Sequence, residues 1–162
     1  MSLLLAILAF CSSDLSFGQS DCQFDRSAQA KTIQELGIRN PGGAIDLKGQ
    51  KISWRLRSGA EVIVAHGGCH DLGTSVIYYS PPKEKLTLQE AIQKSIEVIS
   101  KYLSASDAKR VKQFLAGNKF KPEKLKDGSL EFILGDNNNS EFPLGFYFSL
   151  TPEKIKIAWT EG

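Results

Sequence analysis

The only concentration of chemically versatile side chains in this 162-residue chain is His66-Gly67-Gly68-Cys69-His70-Asp71, which holds both of its histidines. Imidazole and thiolate are donors that zinc or copper accepts. A thiol near an imidazole can also serve as a cysteine nucleophile. Both chemistries need Cys69 free. Cys69 and His70 are adjacent, so an extended chain would point them to opposite faces. The competing reading is a glycine-rich turn carrying a structural disulfide. The glycines could cradle an anion with backbone amides, but no helix start follows at once, and no P-loop or dinucleotide fingerprint is present. A G-x-S-x-G elbow is absent and the carboxylates are scattered. No catalytic residue, metal or cofactor is therefore assigned.

The first twenty residues weigh on that choice. Leu3 to Cys11 is one apolar run, LLLAILAFC, and the first basic residue is Arg26. The run has the length of a signal-peptide h-region and is too short to span a bilayer. Its n-region lacks Lys and Arg, and cleavage fits after Gly18 or after Ser20. This divides the chain into a secretory leader, 1–20, and one domain, 21–162. Two other readings compete. Leu8-Ala9-Phe10-Cys11 resembles a lipobox that would anchor a lipoprotein through Cys11, although Phe10 stands where a small residue belongs. A cytosolic protein would instead bury this run as a helix. After leader removal, Cys22 and Cys69 are the remaining pair. An oxidising compartment would join them, closing a loop of about 48 residues worth roughly 4 kcal/mol on the chain-entropy account.

The elements that position this loop follow from periodicity. Ser27 to Leu36 reads as a helix capped by Ser27 and ended by Gly37. Asn40-Pro41-Gly42-Gly43 is a turn. Alternation marks strands at 52–56, 61–65 and 74–79. Leu88, Ala91, Ile92, Ser95, Ile96, Ile99, Tyr102 and Leu103 form the inward face of a long helix, opened by a capping box at Thr87 and Glu90. A second helix, about Asp107 to Ala116, turns Ala108, Val111, Phe114 and Leu115 inward. Strands return at 130–134, 142–150 and 155–159. The expected fold is α+β: one mainly antiparallel sheet of about six strands, with an N-terminal helix and a central helical hairpin packed on it.

Composition bounds the function. The chain is 41% hydrophobic and 23% charged, ordinary for a globular domain, and no later stretch reaches transmembrane length. A net charge of +2 gives no reason to expect a nucleic acid. Lys83 to Lys126 is locally basic, which suits a solvated helix surface before it suits an acidic partner. Trp54, Tyr78, Tyr79, Phe146, Tyr147, Phe148 and Trp159 could form a binding stripe, but their spacing assigns most of them to the sheet core. Asn138-Asn139-Ser140 is a glycosylation sequon that matters only in a eukaryotic secretory pathway.

In size, leader and fold class the chain is similar to small bacterial envelope proteins that bind a partner, such as lysozyme inhibitors and immunity proteins against cell-wall toxins. The similarity implies a non-catalytic periplasmic or secreted protein acting on an envelope or cell-wall enzyme, and no residue roles come with it. The expected contact surface is the braced loop: His66, Gly67, Gly68, His70 and Asp71. The alternative is a small envelope enzyme or metal-binding protein using that same loop.

Overall fold

The computed structural model describes residues 24–68, 72–135 and 139–161. Helix α1 (Arg26–Arg39) leads into strands β1 (Ala44–Asp46), β2 (Lys51–Arg55), β3 (Glu61–Gly67) and β4 (Leu72–Tyr79). Helices α2 (Leu88–Tyr102) and α3 (Ala105–Leu115) then precede β5 (Glu123–Lys124), β6 (Leu130–Leu134), β7 (Phe146–Leu150) and β8 (Lys154–Glu161). The eight strands form one sheet in the order β1-β2-β3-β4-β8-β7-β6-β5. Every neighbouring pair is antiparallel. The order reads alike from both edges: two four-stranded meanders, each preceded by helix, meet along their last strands.

The sheet has eight strands where about six were expected. The additional two are the edges, β1 and β5, of three and two residues. Such lengths show no alternation, so periodicity could not reveal them. Short, exposed edges also limit pairing with another chain.

Register explains why the helices lie on one side. Ile52 faces Val64, Val64 faces Val76, and Val76 faces Ile157. Ile157 faces Phe148, which faces Phe132. This apolar row and its neighbours point to the helices, with which they share one core. Trp54, Tyr78, Phe146, Phe148 and Trp159 belong to it. Tyr79 and Tyr147 lie one position out of phase, on the opposite face. Among the described residues, that opposite face carries no helix.

Local chemistry shifts several boundaries. The cap of α1 is Asp25, whose carboxylate accepts the Ser27 amide at 2.8 Å, so the helix starts before Ser27. It also runs through Gly37. A side chain there would meet Ile45 Cδ1 at 2.9 Å, so this glycine permits close packing against β1 and does not end the helix. The capping box at Thr87 and Glu90 is present as expected, whereas α3 is capped by Ser104. Strand β7 begins at Phe146; the preceding Phe142 is wholly buried from a turn in which its carbonyl accepts the Gly145 amide. The inward face of α2 is also rotated from the expected one. Its buried positions are Ala91, Ser95, Val98, Ile99 and Tyr102, and Ile96 is only half-buried. Ile96 stands about 100° round the helix from Ser95, towards the flank of the stripe.

Candidate functional site

His66, Gly67 and Gly68 close the end of β3, and Cys69, His70 and Asp71 lie outside the described residues, as does Cys22. The backbone of this end is firmly held. The His66 amide donates to the Gln50 carbonyl at 3.0 Å. Its ring Nδ1 lies 2.9 Å from the Thr74 hydroxyl on the paired strand. Gln29, buried on α1, grips Gly68 twice: its amide nitrogen donates to the Gly68 carbonyl at 2.9 Å, and its oxygen accepts the Gly68 amide at 3.1 Å. The same oxygen accepts the side-chain amide of Gln50. A side chain added at Gly67 would run into Gln50 Oε1 and lie 2.8 Å from Gln29 Oε1, so the two glutamines would have to shift to accept it. Helix α1 is thus tied to the glycine loop by hydrogen bonds among the described residues. Sequence inspection offered no signal for this, since Gln29 looks like a solvent position until the loop folds over it.

Gln29→Ala should leave the Gly68 amide and carbonyl without their partners, at a cost of about 2 kcal/mol. The expected signature is accelerated hydrogen exchange at Gly68 with exchange in the α2 core unchanged. Unchanged protection at Gly68 would show that water or another group replaces the glutamine.

Beside this end, the helix-free face of the sheet is indented by a groove of about 590 Å³. Its floor is one register row, Ala65–Ser75–Ala158. Tyr147 and Ile133 continue the row and form one wall, and Gln50 contributes to the other. Three small side chains side by side leave the backbone uncovered, and the larger neighbours rise around them. Ile133 is 68% exposed, an apolar contact left to solvent. The Tyr147 phenol donates to Glu131 at 2.9 Å, and Lys156 Nζ sits 5.4 Å from the centre of its ring. Burial, with Glu131 as a charged acceptor, raises the phenol above its ordinary value. Of these residues only Tyr147 was a sequence candidate, as a member of the possible aromatic stripe. Their shared row follows from pairing of strands up to about 85 positions apart, which no local spacing encodes.

Two cations of the locally basic segment are engaged within the fold. Lys94 pairs with Glu97 at 2.9 Å. Arg110 lies over the rings of Phe142 and Trp159, at 4.9 and 5.5 Å, and also pairs with Asp107. Among the described residues, no three His, Cys, Asp or Glu side chains gather as a metal-ligand set, and no helix is long and apolar enough to cross a membrane. No protein-family model, curated protein or solved structure matches the chain.

Proposed function

We propose that the protein is a non-catalytic binding module of the cell envelope or the secreted space, engaging a protein partner through the helix-free sheet face and the adjoining glycine loop. An inhibitor or immunity-type role towards a cell-wall enzyme is the form this takes. The observation that supports it is the asymmetry of the sheet: among the described residues three helices cover one face, while the other presents a groove beside Gly68, which Gln29 holds at both its amide and its carbonyl. A preorganised surface loses little conformational entropy on binding. His66, Gly67, Gly68, His70 and Asp71 remain the proposed loop contacts, joined now by Ser75 and Tyr147.

The test is capture from an envelope extract with the protein and two variants. Ser75→Arg places a long cation on the groove floor, and Lys109→Glu changes a remote exposed site on α3. The expected result is one saturable protein partner, retained by Lys109→Glu and lost by Ser75→Arg at unchanged thermal midpoint. Retention by Ser75→Arg would remove the sheet face from the proposal. Chemical turnover of the captured molecule would replace the binding module with an enzyme.

Export entails a further outcome. Cys22 and Cys69 should be joined in the exported protein, and non-reducing mass spectrometry should recover their cross-linked peptides. Two free thiols after export would refute the bond.

A further inference from the structure

A second cavity, of about 290 Å³, opens at the opposite end of the sheet and on the helix-bearing side. It lies between the last turns of α2 and the far ends of β2 and β4. Leu56, Pro81, Val98 and the ring of Tyr102 supply its apolar surface. Four charged side chains also line it: Glu84, Lys94, Glu97 and Lys101.

These charges are not equally satisfied. Lys94 and Glu97 neutralise each other at 2.9 Å. Glu84 accepts the Tyr78 phenol at 3.2 Å, and Lys101 sits 5.1 Å from the centre of the Tyr102 ring. Among the described residues, neither Glu84 nor Lys101 has an ion-pair partner. The cavity therefore keeps one carboxylate and one ammonium in reserve. Burial, then the charge of Glu84, pushes the Tyr78 phenol up to about 12, so it stays a donor to the carboxylate at neutral pH.

The backbone adds an independent sign. Lys83 adopts φ +77°, a left-handed conformation that costs a non-glycine residue energy. It belongs to a turn in which the Glu84 amide donates to the Pro81 carbonyl at 3.1 Å. Strain is thus held at the residue that delivers Glu84 to the cavity. Strained residues concentrate at ligand sites.

We propose that this cavity binds a zwitterionic α-amino acid with an apolar side chain, its ammonium on Glu84, its carboxylate on Lys101, and its side chain against Leu56 and Val98. Charge balance selects the class. Glu84 is half-buried and Lys101 exposed, so a ligand with both charges gains two attractions where a ligand with a single charge gains one. Size selects within the class, since the volume falls just below the roughly 300–1,000 Å³ of pockets for drug-sized ligands. The site is remote from the groove and does not rest on the proposal made for it.

An NMR titration with L-leucine tests this, using isopentylamine and isovalerate as analogues carrying one charge each. L-leucine should produce saturable shifts at the amides of Glu84 and Lys101, and the analogues should not at the same concentrations. Glu84→Gln and Lys101→Met should each weaken L-leucine about tenfold or more. Lys85→Met, a neighbouring change off the cavity lining, should leave binding intact. The proposal falls if L-leucine gives no saturable shift, if either analogue binds as well, or if both cavity variants bind like the unmodified protein.

Discussion

Ile99→Asp is expected to eliminate the cooperative thermal transition of the domain. Ile99 is fully buried where α2 meets the sheet, and the described core holds no cation positioned to receive a carboxylate there. Burying an unpaired charge costs several kcal/mol even after it protonates, while a domain of this size is stable by only about 5–15 kcal/mol. Ile96→Asp is the paired control. Its side chain stands on the flank of the helix and is half-buried, so the expected loss is about 1–2 kcal/mol, within the usual range for single substitutions. Circular dichroism melting of the two variants separates the cases. Equal midpoints would mean that the two residues are buried alike, and a lower midpoint for Ile96→Asp that the helix presents Ile96, and not Ile99, to the sheet.

The second large effect is expected at Phe114. This residue fastens α3 to the β6–β7 half of the sheet, with ring centroids at 4.6 Å from Phe146, 5.2 Å from Phe142, 5.8 Å from Phe132 and 6.4 Å from Phe120. Phe114→Ala removes a ring from the centre of that group, and the rigid neighbours cannot all move inward. A loss of about 3–5 kcal/mol follows from transfer and cavity terms together. Urea denaturation should show a lower midpoint with little change in slope. A loss below about 1 kcal/mol would show that the surrounding rings collapse into the vacated volume.

These two residues also show where sequence reading succeeds. Phe114 recurs with Val111 and Leu115 on one helical stripe, and α3 needs only its nearest neighbours to reveal that. The capping box of α2 is equally local, because Thr87 and Glu90 are three residues apart. Ile96 shows the first limit. An apolar residue beside an apolar stripe widens the apparent face, and only the direction of packing against β4, β8 and α3 picks the buried part. Phe142 shows a second: a buried aromatic in a turn has no period to announce it. The candidate site lay mostly beyond reach. His66 and the glycines were visible as residue types, but Ala65, Ser75 and Ala158 are unremarkable until strand pairing sets them in one row. Gln29 was hidden for the same reason, since its partner Gly68 is 39 positions away.

The meeting of the two meanders along β4 and β8 has a consequence for how the molecule is made. The central pairing joins Leu72 to Glu161 and Tyr79 to Lys154, so the middle of the sheet closes only when β8 is available to pair. Until then β4 exposes a full row of unpaired backbone groups, and β7 does the same on the other side. Closing so long a loop carries an entropic cost that must be met before its contacts form. A chain whose β8 has not yet paired therefore presents open strand edges, the state most prone to pair with a second copy of itself. The strand that completes the fold is also the one on whose timing its solubility depends.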